Sequence, residues 1–319
     1  MCKTLPNVSV VLTCYNGVRW ISRAIESILA QTYRDFELVM IDDGSTDNSK
    51  EIASSYLFDE RVRYIYQENK GFSAALNRGI KESSGNIIGF ICQDDLWVPS
   101  KLELQVKYLH EHKDVDLVHS NYYSIDSKGR LIEVRYVKIP CFSSKEKVVK
   151  QLFLNNFIGF ETVLVKRKCL DKVGFFDECM VGFSDHDMWM RVAGDFNIGY
   201  LDLPLVKKRQ HEFQLSKVRI EDVLKDEFLM AKKAIDRYPF LKRVIGKKIA
   251  SLYYAWGIAL LQKGNNKEAK QKFIKAIKCQ PWKLKATAAY IAPALYNLIW
   301  THYIKTTPEI RAGLNWLEG

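Results

Sequence analysis

Two rhythms of apolar and polar positions alternate along the first hundred residues. Val8–Thr13, Phe36–Ile41, Val62–Tyr66 and Ile87–Cys92 are short runs, mostly apolar and rich in β-branched or aromatic residues, the signature of strands. Between them, Trp20–Gln31, Asn48–Tyr56 and Phe72–Ser83 repeat apolar residues at helical spacing. Turn signals at Asn16-Gly17, Asp43-Gly44-Ser45 and Ser84-Gly85-Asn86 separate the runs. Strand–helix alternation predicts a parallel sheet with helices on its faces. Strands without polar gaps fit a sheet covered on both sides. A helix over Pro99–His112, with proline near its start, leads into a further strand at Asp114–Ser120. There the alternation stops: Tyr122–Asp126 and Leu131–Val137 flank Ser127-Lys128-Gly129-Arg130 and read as an antiparallel hairpin.

From about Ile220 the pattern is helical throughout, which sets the expected division at 1–219 and 220–319. Within the second part, Tyr254 to Leu261, Lys263-Gly264-Asn265 and Glu268 to Pro281 resemble one tetratricopeptide unit over about 250–281. Such a unit is two helices meeting through small residues, and a single copy must pack on something else. Ala286–Ile304 carries no charged residue other than His302 and is flanked by Lys283, Lys285 and Lys305. It reads as a packing helix, or as one lying in a membrane interface with Tyr290, Tyr296, Trp300 and Tyr303 as anchors. Pro293, Asn297 and Thr301 argue against a membrane span.

Composition adds limits. At 319 residues, with 47% hydrophobic and 27% charged residues, the chain can bury an ordinary globular core. Its seven cysteines are odd in number and lack metal-type pair spacing, which suits a reducing cytosol, with Cys14 and Cys92 as small core residues. The formal charge of +11 is uneven: residues 205–319 hold 23 Lys and Arg against nine Asp and Glu. That excess suits membrane lipid, nucleic acid or simply a solvated helical surface.

The candidate chemistry is acidic. The second strand run ends in Asp42-Asp43-Gly44-Ser45-Thr46-Asp47, and the fourth in Gln93-Asp94-Asp95. In an open α/β sheet, ligands bind outside the carboxyl ends of the strands. Both clusters therefore share one rim with the Thr13-Cys14-Tyr15-Asn16 loop. One or two carboxylates, with phosphate oxygens and water, suffice for Mg²⁺, so the rim suits a nucleotide diphosphate with a hard cation. A nucleotidyltransferase would want a Gly- and Lys/Arg-rich loop after the first strand, which Tyr15-Asn16-Gly17-Val18-Arg19 does not supply.

An ordered series of motifs carries a resemblance across roughly the first 215 residues: Val8–Asn16, Asp42–Asp47, Asn69–Gly79, Phe90–Asp95 and Trp97 through Leu102. Gly174–Glu178, Asp185-His186-Asp187 with Trp189 and Arg191, and Arg209-Gln210-His211 with Ser216 follow. The series resembles the family 2 glycosyltransferases, inverting enzymes of the GT-A fold. The resemblance implies a mainly parallel mixed sheet flanked by helices, a UDP-sugar donor, Mg²⁺ or Mn²⁺, and a glycan or lipid-linked acceptor in surface polysaccharide synthesis. It implies no nucleic-acid partner. The expected location is cytoplasmic, with peripheral membrane contact through the basic C-terminal helices.

The implied roles fall on particular residues. Thr13, Tyr15 and Asp43 frame the base, Asn77 and Asp94 complete the nucleotide-sugar site, and Asp95 holds the metal with His211 as a further ligand. Asp185 is the general base, kept ionised by a helix start. Trp97, His186 and Trp189 line the acceptor cleft. Thr13, Cys92 and Ser184 replace residues more common in the family, where proline, aspartate and glutamate are frequent. The competing reading is an inactive helical-repeat adaptor on a transferase scaffold; the joint presence of Asp43, Asp94, Asp95 and Asp185 speaks against it.

Overall fold

The computed structural model describes residues 5–137 and 144–280. Contacts divide the chain into two units, residues 1–149 with 156–211, and residues 150–155 with 212–319.

The first unit is built on nine strands: β1 (Val8–Cys14), β2 (Phe36–Asp43), β3 (Val62–Gln67), β4 (Ile87–Cys92), β5 (Leu96–Trp97), β6 (Leu117–Ile125), β7 (Leu131–Arg135), β8 (Leu164–Lys166) and β9 (Ile198–Arg209). Their order is β3-β2-β1-β4-β8-β6-β9-β5, with β7 paired to β6. The four strands expected from the apolar runs pair in parallel, Cys14 beside Asp42 and Asp43 beside Gln67. Every residue of β1 and β2 is buried, as befits strands covered on both faces.

Helices α1 (Ile21–Leu29), α2 (Ser49–Ser54), α3 (Phe72–Glu82) and α4 (Lys101–Glu111) follow in chain order. Gly79 lets α3 sit against β1: a Cβ there would lie 2.3 Å from Val11 Cγ1. After β4 the sheet becomes mixed. β8 is antiparallel to β4 and β6, while β9 runs parallel to β6 and antiparallel to β5.

Two expected boundaries differ. The strand at Asp114–Ser120 and the first arm of the hairpin are one strand, β6, because β9 pairs with it along its whole length through register shifts near Asn121. The helix expected from Pro99 begins at Lys101, because Val98 and Pro99 are engaged elsewhere. Val98 N–H donates to Leu205 O, and Pro99 O accepts from Thr32 N–H. The remaining helices α5 (Lys145–Leu154), α6 (Arg167–Val173) and α7 (Ser184–Asp195), with a short 3-10 turn at Phe160–Thr162, complete the elements up to β9.

The second unit is helical where described: α8 (Leu215–Val218), α9 (Ile220–Arg237), α10 (Ile245–Gln262) and α11 (Asn266–Cys279). Lys263–Asn265 joins α10 and α11 into a hairpin whose core includes Tyr254, Ile258, Ala269, Phe273 and Ala276. Gly257 makes the approach close, since a Cβ there would meet the Phe273 ring at 2.4 Å. Lys248 of α10 and Glu227 of α9 form a buried ion pair. Among the described residues, no helix is long and apolar enough to cross a membrane. The stretch 286–304 lies outside them.

Candidate active site

The carboxyl ends of β1, β2 and β4 converge on one rim. The loop after β1 is fixed by side chains from the other two. Gln93 accepts from Tyr15 N–H through Oε1 at 2.7 Å and donates from Nε2 to Tyr15 O at 3.0 Å. Asn16, whose φ of 52° is left-handed, accepts from Thr46 N–H at 2.8 Å and donates its own N–H to Ser45 Oγ at 3.0 Å. Gly17 packs so closely on Gln93 that a Cβ would lie 2.5 Å from Oε1. These contacts leave the Tyr15 ring 49% exposed, with Thr13 buried behind it.

Asp43 at the end of β2 is buried and holds the next loop. It accepts from Gln67 Nε2 (2.7 Å), Lys70 N–H (2.9 Å) and Gly71 N–H (2.9 Å). Gly71 supplies a φ of 92° immediately before α3, a conformation that favours glycine.

Beyond β4, Asp94 is half-buried and Asp95 buried. The thiol of Cys92 and the carboxylates of Asp94 and Asp95 bring one potential donor atom each within 4.8 Å of one another. Asp95 Oδ1 accepts from Arg209 N–H at 2.7 Å, and His211 Nε2 lies 2.8 Å from Asp94 Oδ2. The Arg209 guanidinium donates to the carbonyls of Asp94 and Asp126. The end of β9 is thus stitched to the acidic turn.

Burial, and then the like charges of Asp94 and Glu161, push the Asp95 carboxyl well above the usual carboxylate range. Such a group calls for a cation. The Cys92 thiol is pushed up as well, chiefly by burial, and a neutral thiol is a poor ligand. The two carboxylates could hold a hard divalent ion that completes its shell with phosphate oxygens and water.

Asp185 lies in the first turn of α7 with Asn156 Nδ2 at 3.4 Å. Burial raises its pKa to about 6, which leaves it mainly ionised at neutral pH. The neighbouring His186 and then Lys208 lower it, and Glu161 raises it. Glu161 and Lys208 also act on Asp95. Glu161 and Lys208 were not singled out in the sequence. Glu161 sits in the short 3-10 turn, and Lys208 follows exposed Lys207 on β9, where alternate residues face opposite sides.

Four other expected site residues are packed inside the fold. Asn77 does not offer its amide to a nucleotide: Nδ2 donates to Phe176 O and Glu178 Oε1, and Oδ1 accepts from Phe176 N–H. It ties α3 to the segment leading to α7. Trp97 is 3% exposed and donates Nε1–H to Glu161 O, with the Lys101 ammonium 4.0 Å from its ring centre. Trp189 is fully buried, its ring within about 6 Å of Phe90 and Phe176. His186 is likewise buried. None of these three rings is open to stack on a sugar.

Sheet order and the arrangement of the strands define a GT-A fold with an acidic rim at its strand ends. TarS residues 1–349 from S. aureus, in complex with UDP-GlcNAc, superpose with a TM-score of 0.66 at 18% identity, over 98% of this chain and 89% of that one. The mannosyltransferase PcManGT from Pyrobaculum calidifontis, in complex with GDP-Man and Mn²⁺, gives 0.62 at 18% identity, over 99% and 84%. At this identity the likeness concerns the fold. An uncharacterized glycosyltransferase of Rickettsia typhi is 34% identical over 228 residues, 70% of either chain. The pattern of glycosyl transferase family 2 matches residues 9–174, and the chain belongs to that family.

Proposed function

We propose that this chain is an inverting transferase that moves a sugar from a UDP-sugar to a hydroxyl of a glycan or lipid-linked acceptor, a hexosyl transfer in surface polysaccharide synthesis. The observation that carries the reading is the acidic turn after β4, where Asp94 and Asp95 lie together at the strand ends shared with Asp43 and the Tyr15 loop, which supports a donor site on that rim. In this reading the exposed Tyr15 ring and Asp43 receive the uracil, Asp94 reaches both the ribose and the edge of the metal site, and Asp95 holds the metal with His211 as a further ligand. TarS with UDP-GlcNAc and PcManGT with Mn²⁺ lend support by fold.

A bound Mg²⁺ or Mn²⁺ would neutralise charge on the departing diphosphate. The protein's own groups do the rest. Asp185, ionised in its majority above pH 6, accepts the proton of the acceptor hydroxyl. The acceptor oxygen then attacks the anomeric carbon opposite the leaving phosphate, and the configuration inverts. The α10–α11 hairpin is read as a tetratricopeptide-like unit and the basic C-terminal helices as a peripheral membrane contact.

A thermal-shift series with UDP, GDP and their sugars, with and without Mn²⁺, tests the donor assignment through stabilisation by mass action. Metal-dependent stabilisation by UDP-sugars is expected. Preference for guanosine compounds would overturn the uridine assignment, and no response to any nucleotide would overturn the sugar-donor reading.

A further inference from the structure

We propose that Lys208 is a catalytic cation whose ammonium contacts the diphosphate of the leaving nucleotide, and that Glu161 positions it. The proposal rests on the sugar-transfer reading above and adds a residue to it. Lys208 is 27% exposed and Glu161 6%, and Nζ lies 3.7 Å from Glu161 Oε2. That separation exceeds a hydrogen bond, so the three N–H donors of the ammonium are not consumed by its carboxylate partner. Among the described residues, no hydrogen bond to Lys208 Nζ is formed. A cation held near an anion, yet left with free donors, is prepared to receive a second anion.

Its surroundings indicate which anion. β5 runs antiparallel to β9 with Leu96 opposite Lys207, so Asp95 falls opposite Lys208, and the next residue, Arg209, donates its N–H to Asp95 Oδ1 at 2.7 Å. Glu161 keeps the ammonium protonated. Lys208 therefore stands beside the metal carboxylate, where the diphosphate of the donor must lie during transfer in this reading. As the acceptor oxygen forms its bond to the anomeric carbon, the bond from that carbon to the phosphate oxygen breaks. Its electron pair stays on that oxygen, and the acceptor proton passes to Asp185. A fixed cation beside the new negative charge stabilises it without reorganisation. Lys208 exchanges no proton in this step.

Titration of UDP, UMP and uridine into the full chain with Mn²⁺ tests the assignment. Lys208→Met is expected to weaken UDP binding roughly ten- to hundredfold, the range of a lost charge-assisted contact. UMP and uridine should bind as in the wild type, and Lys208→Arg should retain most of the preference for UDP. Glu161→Gln is expected to lower kcat while donor KM stays near its wild-type value, a split that a merely structural residue would not produce. Equal loss of UDP and UMP in Lys208→Met, or loss of neither, would overturn the proposal. If Lys208→Met does not fold, Lys208→Gln carries the same comparison. Failure of the wild type to bind UDP with Mn²⁺ would instead overturn the underlying transferase reading.

Discussion

His211 Nε2 lies 2.8 Å from Asp94 Oδ2, so the segment just past β9 fixes the carboxylate that follows β4. The imidazole also packs against Trp20, ring centres 4.2 Å apart, which restrains it from the other side. Partners that orient metal-site carboxylates are commonly worth ten- to hundredfold in metal affinity. His211→Ala should therefore raise the apparent Kd for Mn²⁺, measured with saturating UDP, roughly tenfold. Unchanged metal affinity would reduce His211 to a packing residue.

The raised pKa of Asp185 has two consequences of opposite practical sign. As the base it must be ionised, so kcat/KM should rise with pH through about 6 and level off above. For stability the sign reverses. A carboxyl whose folded pKa is raised leaves the protein most stable below the unfolded value near 4 and costs stability as pH climbs through 6. Asp185→Asn should thus match wild-type stability at pH 4 and exceed it at pH 8, by about 1–3 kcal/mol. Denaturant unfolding at the two pH values checks this, and a gain independent of pH would contradict it.

Asn77 separates a structural role from a binding one. Its amide makes three hydrogen bonds to Phe176 and Glu178. Asn77→Ala should cost about 2–4 kcal/mol, since it leaves buried polar groups unpaired. Donor KM of the folded fraction should not change. A rise in donor KM with stability intact would return Asn77 to the nucleotide.

Gln93 and Gly17 should act as one unit. Gln93→Ala frees the backbone of Tyr15, and Gly17→Ala displaces the same amide, given the 2.5 Å approach to Oε1. Each is expected to raise donor KM several-fold. Because both act through one contact, the double variant should be little worse than either single one. Full additivity would show independent effects.

β1, β2 and β4 were legible because their apolar runs are buried on both faces, and the half-exposed edge strand β3 because its residues are largely β-branched and aromatic. The acidic rim was legible for a related reason: Asp43, Asp94 and Asp95 stand where strands end, and topology brings those ends together. What was hidden depends on distant pairing. Glu161 and Lys208 lie far apart in the chain and meet only through tertiary packing, and neither belongs to a motif. The rings of Trp97 and Trp189 misled because an aromatic beside an acidic motif suggests a sugar platform. Sequence does not reveal that Trp97 closes over Gly89, whose absent Cβ would lie 2.9 Å from the indole. Asn77 misled in the same way, since a motif position does not disclose which partners its amide faces.

The central claim is that donor binding and proton removal are carried by separate carboxylates of one site. Calorimetric titration of UDP with Mn²⁺ into Asp95→Asn and Asp185→Asn, beside sugar-transfer assays of both, tests it most directly. The account predicts that both variants lose transfer, that Asp95→Asn also loses metal-dependent UDP binding, and that Asp185→Asn binds UDP as the wild type does. Undiminished turnover in Asp185→Asn, or intact metal-dependent binding in Asp95→Asn, would contradict it.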